Sequence, residues 1–198
     1  MKPSVTFTDF TSIAMVALGS NLGTTAETPG ETIRSALDAL NVHGFAIREV
    51  SRFYASPAFP AGSGPDFVNA AAAFETAWPA EQVLAHLHSI EAQYGRARTV
   101  RWAPRSLDLD LIAIGDNVLP NRETVEHWMS LPIELQAQAT PKELLLPHPR
   151  LHERAFVLLP LVDIAATWQH PVLGQDAATM LAKLPKYLTD DVTPFAPA

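Results

Sequence analysis

The segment SLDLDLIAI, residues 106–114, constrains the fold more than any other stretch of this chain. It alternates in hydrophobicity and is rich in branched apolar residues, which predicts a strand that enters a sheet. Side chains two positions apart in a strand face the same way, so Asp108 and Asp110 share one face. Leu107, Leu109 and Leu111 share the other. The sheet is therefore expected to have a carboxylate-bearing face and an apolar face at this strand.

An arginine-rich segment directly precedes the two aspartates. Arg96, Arg98, Arg101 and Arg105 lie within ten positions, although the formal net charge of the chain is −7. Adjacent carboxylates repel each other unless a cation neutralises them, and Mg²⁺ bound to substrate phosphates commonly takes one or two protein carboxylates. Guanidinium groups suit bidentate contacts to phosphate. The combination favours a site for Mg²⁺ and a polyphosphate over a solvated loop in which the arginines pair with the aspartates.

Composition limits the other classes of function. A length of 198 residues with 47% hydrophobic residues predicts one domain with a substantial core. The chain contains no cysteine, which excludes a disulfide scaffold and a thiolate site and fits a cytoplasmic location. The segment before Ser12 lacks signal-peptide features, and no apolar stretch approaches the ~20 residues of a membrane span. The negative charge argues against nucleic acid or an anionic membrane as partner, so small anionic ligands are expected.

The apolar patterns along the chain predict the element order β-α-β-β-α-β. Strands are expected at residues 13–18, 45–54, 67–74 and from 107 onward, with helices at 31–40 and 79–94. This order is that of a ferredoxin-like core in the α+β class. We expect a four-stranded antiparallel sheet with both helices on one face, a site built by loops and strand ends on the other, and a C-terminal extension.

Residues 12–170 are expected to form the single domain. Residues 121–143 are rich in Gln, Glu and Ala and predict a partly helical insertion. The termini, residues 1–11 and 189–198, are expected to be flexible.

Five motifs, in this order, make the chain resemble the 6-hydroxymethyl-7,8-dihydropterin pyrophosphokinase family. The resemblance covers residues 13–165. The motifs are ALGSNLG at 17–23, SRFYASPAF at 51–59, PDFVNAA at 65–71, GRARTVRWAPRSLDLDL at 95–111 and LPHPRLHERAFVLLPL at 146–161. The resemblance implies transfer of pyrophosphate from ATP to the pterin hydroxymethyl group, with release of AMP, in folate biosynthesis.

The resemblance also implies roles for individual residues. Asp108 and Asp110 would hold two Mg²⁺ ions and, with four arginines, form the catalytic set: Arg96, Arg98, Arg101, Arg105, Asp108 and Asp110. The implied contacts to ATP are Glu91, Arg96, Arg98, Arg105, His148 and Arg154. The implied pterin site consists of Gly19, Ser56, Pro57, Phe59, Phe67, Asn69, Trp102 and Phe156. In it Phe67 and Phe156 would stack on the ring, and Asn69 would read its edge.

Some features depart from the family or leave alternatives open. Phe67 stands where many relatives have tyrosine, and the insertion at 121–143 is the largest difference. The alternatives are a ferredoxin-like RNA-binding module, a metal-dependent phosphohydrolase and an inactive relative kept for partner binding. A monomer is the expectation, while the general base and the order of substrate binding stay open.

Overall fold

The computed structural model describes residues 11–24, 26–58, 64–95, 106–132, 135 and 141–196. Its strands are β1 (Ser12–Ser20), β2 (Phe45–Val50), β3 (Tyr54–Ser56), β4 (Phe67–Thr76), β5 (Asp108–Ile114) and β6 (Thr193–Pro194). Its helices are α1 (Pro29–Leu40), α2 (Ala80–Gln93), α3 (Arg122–Ser130), α4 (Ala155–Ala165), α5 (Ala177–Ala182) and α6 (Lys186–Asp190), with a 3₁₀ turn at Leu151–Glu153. The predicted α+β class and its β-α-β-β-α-β core are confirmed, but the second predicted strand is divided in two, and the sheet that the described residues form has six strands where four were expected.

The sheet is antiparallel throughout and is organised around β4. The strand order is β5-β1-β4-β3-β6, and β2 also pairs with β4. The strand expected at 45–54 is therefore two strands, β2 and β3, which pair with opposite halves of β4. The break falls at Ser51, whose backbone N–H donates to the Ala71 carbonyl and whose Oγ accepts the Ala71 N–H at 2.9 Å. This local hydrogen bonding replaces a regular strand.

The first face of the sheet, which we define as the face that packs on α1 and α2, holds the main core. The helix α1 begins at a capping box between Thr28 and Glu31. Both helices bury apolar stripes against the sheet, as the sequence predicted. The buried side chains from the strands on this face are Ala14, Val16, Leu18, Phe45, Val68, Ala70, Ala72, Phe74, Leu109, Leu111 and Ile114.

The second face, on the opposite side, is partly covered by the C-terminal helices. Met15 and Ile112 pack with Val157, Leu158 and Leu161 of α4 and with Ala177 and Met180 of α5. The expectation left this face to loops and strand ends. The difference has a physical reason, since AFVLLPLVDIA in α4 is apolar nearly all round and such a helix is buried on several sides.

The C-terminal segment differs from the expectation of a flexible tail from residue 189. Thr193–Pro194 forms β6 and pairs with β3, while the Phe195 N–H donates to the Phe53 carbonyl at 2.8 Å. Val192 is buried. Val192 and Phe195 anchor this segment, although its overall composition is typical of a mobile tail. The folded unit therefore continues past residue 170. In 121–143, α3 agrees with the predicted partial helix, while residues 133, 134 and 136–140 lie outside the description.

Across the described part of the chain, we find no helix with the length and apolarity needed to cross a bilayer.

Candidate active site

A row of residues crosses the second face of the sheet from β5 to β3. The strand registers place Asp108 opposite Gly19, Gly19 opposite Asn69, and Asn69 opposite Tyr54. Residues directly opposite each other in a sheet project from the same face. We call this region, with Asp110, Ser56 and Phe67, the polar end of the second face. The apolar end is the part around Met15 and Ile112 that α4 and α5 cover.

The strand β5 separates its two faces as the sequence predicted. Leu109 and Leu111 are buried in the first-face core, whereas Asp108 and Asp110 are half-buried on the second face. The Oδ2 of Asp110 lies 3.8 Å from Nη1 of Arg154. Within the described ranges, no group of three or more acidic or histidine side chains is arranged to hold a metal. A pair of carboxylates suits Mg²⁺, which commonly keeps waters and substrate oxygens as its other ligands.

Arg154 lies immediately before α4 and beside the acidic pair. Its guanidinium carbon is 5.8 Å from the centroid of the Phe156 ring. Burial lowers the pKa of Arg154, and the nearby carboxylate of Asp110 partly offsets this effect. An arginine keeps its charge under such conditions. Arg154 therefore supplies a fixed positive charge next to two carboxylates, and such a pairing can bridge a metal–phosphate complex.

His148 is held rigidly by the backbone around it. The backbone N–H of His148 donates to the Ile112 carbonyl at 2.8 Å, and the ring Nδ1 of His148 accepts the backbone N–H of Arg150 at 3.1 Å. Burial, followed by the positive charge of Arg154, lowers the pKa of His148 to about 3. The imidazole is therefore neutral at pH 7. Because Nδ1 is an acceptor, the proton resides on Nε2, and His148 can donate one hydrogen bond to an anionic ligand.

Gly19 lies between the acidic pair and the residues that the family resemblance assigns to pterin. A Cβ built on Gly19 would lie 3.6 Å from Oδ1 of Asn69, 3.6 Å from Cδ1 of Phe67 and 4.0 Å from Cβ of Asp108. Asn69 is 6% exposed, and its Nδ2 donates to Oγ of Ser56 at 2.9 Å. The side chains of Asn69, Phe67 and Asp108 thus converge on the backbone of one glycine.

The structure places the remaining predicted residues as follows. Phe156 lies in the first turn of α4, where it packs both with the apolar end of the second face and with the cluster around Tyr54, the neighbour of Asn69. Pro57 follows Ser56 and is exposed. Glu91 is buried at the end of α2, where its Oε1 accepts the Leu109 N–H at 2.9 Å. Its contact to ATP stays a prediction. Six predicted residues lie outside the described ranges: Phe59, Arg96, Arg98, Arg101, Trp102 and Arg105.

One polar cluster beside the site was not predicted. Asp163 of α4 accepts hydrogen bonds from the Tyr54 hydroxyl at 2.9 Å and from the backbone N–H, Nε and Nη2 of Arg52 at 3.2, 3.0 and 2.6 Å. Burial alone would raise the pKa of Asp163, but the hydrogen bonds from Arg52 and Tyr54 lower it overall. The signal in the sequence is a single acid in an otherwise apolar helix. The cluster fixes α4 against β3.

The chain matches a family model described as 7,8-dihydro-6-hydroxymethylpterin-pyrophosphokinase (HPPK) over residues 15–166. It is 37% identical over 171 residues to a 2-amino-4-hydroxy-6-hydroxymethyldihydropteridine pyrophosphokinase of Pseudomonas aeruginosa, covering 86% of this chain and 90% of that protein. A Haemophilus influenzae protein of the same name is 34% identical over 157 residues, covering 77% and 81%.

Longer proteins also match. The folic acid synthesis protein fol1 of Pneumocystis carinii is 31% identical over 180 residues, which cover 91% of this chain and 21% of that protein. A crystal structure of Plasmodium falciparum HPPK-DHPS with pterin and p-hydroxybenzoate has a TM-score of 0.63 at 14% identity, covering 96% of this chain and 48% of that chain. At such low identity the likeness shows the fold. The chain spans about half of the solved relative and a fifth of fol1, but most of the length of the bacterial proteins.

Proposed function

The chain belongs to the 7,8-dihydro-6-hydroxymethylpterin-pyrophosphokinase family, and on that premise we propose which of its residues carry out the family's reaction. It is an ATP-dependent diphosphotransferase that moves pyrophosphate from ATP to the hydroxymethyl group of 6-hydroxymethyl-7,8-dihydropterin in folate synthesis. The observation that supports our assignment of residues is the row Asp108–Gly19–Asn69, which sets an acidic pair and an amide on the same face with one strand, β1, between them.

Asp108 and Asp110 hold Mg²⁺ in this proposal, and the family resemblance suggests two ions. These residues fit Mg²⁺, because two half-buried carboxylates lie two positions apart on one strand, beside the fixed cation Arg154. When bound, Mg²⁺ neutralises charge on the triphosphate and orients it. His148 donates its Nε2–H to the nucleotide, and Arg154 pairs with phosphate oxygens. By resemblance, Arg96, Arg98, Arg101 and Arg105 complete the phosphate contacts.

The acceptor substrate occupies the other side of Gly19. Phe67 and Phe156 stack on the pterin ring, Asn69 bonds its edge, and Ser56, Pro57 and Phe59 line the pocket. The strands β4 and β5 lie two strand spacings apart, roughly 10 Å. This separation suits a flat ring on Asn69 whose hydroxymethyl group extends toward a triphosphate held at Asp108. By resemblance to the family, Trp102 would help to seal the substrates from water.

The reaction requires positioning more than covalent chemistry. The hydroxymethyl oxygen forms a bond to the β-phosphorus of ATP, the bond from that phosphorus to the α,β-bridging oxygen breaks, and AMP leaves. The proton of the hydroxyl group is lost to a base that we do not assign. Orientation of two bound substrates can supply about 7–11 kcal/mol of the barrier reduction, and fixed cations stabilise the charge that develops.

We further propose a single pyrophosphokinase domain that includes the 121–143 insertion and works as a cytoplasmic monomer. Its partners are ATP and the pterin, with no nucleic acid or membrane. The net charge of −7 and the absence of cysteine support this view.

An AMP-release assay tests the proposed function. Purified protein is incubated with ATP and Mg²⁺, with and without 6-hydroxymethyl-7,8-dihydropterin. We expect AMP only when pterin is present. ATP consumption that does not depend on pterin would favour a phosphohydrolase. No AMP in either case, from protein shown to be folded, would contradict catalysis and favour a binding role.

A further inference from the structure

A buried hydrogen bond joins two side chains at the polar end of the second face. Nδ2 of Asn69 donates to Oγ of Ser56 at 2.9 Å, across 13 residues of sequence. The two residues are 6% and 5% exposed. Ser56 lies opposite Phe67 in the β3–β4 register, which makes it the diagonal neighbour of Asn69 on the same face.

The bond to Ser56 sets the orientation of the Asn69 amide. The terminal torsion of asparagine is broad, so the backbone by itself does not fix the plane of the amide. A bond from Nδ2 to Ser56 fixes that plane and leaves Oδ1 on the side of Gly19 and Phe67. One amide N–H also remains beyond the hydrogen bond to Ser56, since an amide carries two donor hydrogens.

We propose that Ser56 is a positioning residue for the acceptor substrate, acting through its hydroxyl on the amide of Asn69. The fixed amide presents an acceptor and a donor side by side. It therefore selects a flat heterocycle whose edge offers an N–H next to a carbonyl or ring nitrogen. This inference rests on the proposed function, in which Asn69 reads the pterin edge. The family resemblance implies only that Ser56 lines the pterin site, and the inference adds a role for its hydroxyl group, exerted through Asn69.

The chain provides a matched control in Ser51. Ser51 is 7% exposed, and its Oγ accepts the N–H of Ala71 at 2.9 Å and donates to the Arg52 carbonyl at 2.6 Å. It therefore anchors the same central strand, β4, through its hydroxyl. Its hydrogen-bond partners, Ala71 and Arg52, are not among the residues that we assign to substrate. Loss of a buried serine hydroxyl is thus common to Ser51→Ala and Ser56→Ala, whereas loss of the bond to Asn69 belongs to Ser56→Ala alone.

The experiment measures the KM values for pterin and ATP and the kcat of pterin-dependent AMP release. The proteins are the wild type, Ser56→Ala, Ser56→Thr, Ser51→Ala, Asn69→Ala and the Ser56→Ala/Asn69→Ala double variant. We expect Ser56→Ala to raise the pterin KM about tenfold while the ATP KM changes less than about twofold. Ser56→Thr keeps a hydroxyl and restores the pterin KM. Ser51→Ala leaves it unchanged.

The double variant decides whether Ser56 acts through Asn69. In the Asn69→Ala background, we expect Ser56→Ala to add less than about twofold to the pterin KM. An equal effect in both backgrounds, or a wild-type pterin KM in Ser56→Ala, would overturn the inference and leave the proposed function intact. If Ser51→Ala raised the pterin KM as much as Ser56→Ala does, the hydrogen bond between Ser56 and Asn69 would have only a structural role, which would also overturn the inference. Wild-type protein without pterin-dependent AMP release would overturn the proposed function, and the inference with it.

Discussion

The two faces of the sheet use the same strands for different purposes. On the first face, Leu109, Leu111, Phe74 and their neighbours form an apolar layer under α1 and α2. On the second face, the same β5 strand presents Asp108 and Asp110, beside Gly19 of β1. Alternation along a strand allows this division, because neighbouring residues face opposite layers. Substitutions on the first face should therefore change stability, and those at the polar end of the second face should change catalysis.

The largest effect is expected for Asp110→Ala. Loss of a proposed metal ligand removes several kcal/mol of stabilisation from the transition state, so turnover should fall by roughly a thousandfold or more. Stability should change little, because Asp110 is half-exposed and its ion pair with Arg154 is long at 3.8 Å. The measurements are kcat at saturating Mg²⁺ and the urea midpoint. Glu75→Ala is the control, because Glu75 of β4 lies on the second face at the end away from Asp108, where it pairs with Arg48. Near-normal turnover of Asp110→Ala would contradict the metal assignment.

The opposite outcome is expected for Phe74→Ala on the first face. Phe74 is fully buried and stacks on Phe45 with ring centroids 4.2 Å apart. Its truncation leaves a cavity and should lower the free energy of unfolding by about 3–5 kcal/mol. Under conditions where the variant is folded, its KM values should match those of the wild type. Urea unfolding and steady-state kinetics on the same samples check both parts. A specific loss of pterin affinity would show that the two faces are coupled.

The division between faces could be predicted from the sequence, but the neighbours across the sheet could not. The alternation of Leu109 and Asp110 fixes which residues share a face. Nothing in the alternation shows that Asp108 lies beside Gly19, 89 positions away in the chain, because strand pairing depends on the whole fold. The motifs shared with a family supplied that grouping. The predicted arginine loop cannot be compared, since residues 96–105 lie outside the description.

Two other features could not be predicted, for physical reasons that particular residues make clear. The break between β2 and β3 depends on Ser51 bonding to Ala71, a partner 20 residues away. The packing of the C-terminal segment depends on Val192 and Phe195, two apolar residues in a stretch rich in polar residues and proline. Local composition does not show whether such apolar residues can pack against the rest of the protein.

Gly19→Ala tests whether the space between the acidic pair and Asn69 belongs to the substrate. The added methyl group would make ordinary contacts at 3.6 Å with Asn69 and Phe67, so the fold should tolerate it within about 0.5 kcal/mol. A ligand lying on Gly19 would lose that space. We expect the pterin KM to rise by about tenfold or more, with a smaller change in the ATP KM. Kinetics and urea unfolding measure the two effects. An unchanged pterin KM would place the ring elsewhere.

The last prediction concerns pH and the helices that cover the apolar end of the second face, where the effect is nearly absent at pH 7 and grows only as the solution becomes acidic. His170, between α4 and α5, is fully buried, and its Nδ1 accepts the N–H groups of Val172 and Leu173 at 3.2 and 3.1 Å. Burial, and to a lesser degree the nearby His152, lowers the pKa of His170 to about 4. The unfolded chain takes up this proton near pH 6.5 and the folded protein does not. The free energy of unfolding should therefore fall between pH 6.5 and 4, by at most about 2.5 kcal/mol from this group.

His170→Asn isolates that contribution, because asparagine keeps a side-chain acceptor for the two backbone N–H groups but does not titrate. The difference in unfolding free energy between the variant and the wild type should shift in the variant's favour as the pH falls from 7 to 4.5. Other histidines with lowered pKa values, such as His148, cancel in this difference. Amide exchange should show the wild-type weakening in α4 and α5 and unchanged protection in α1 and α2. An equal loss of amide protection in both pairs of helices would show that the two faces unfold together. The C-terminal helices on the second face would then not unfold independently of the main core.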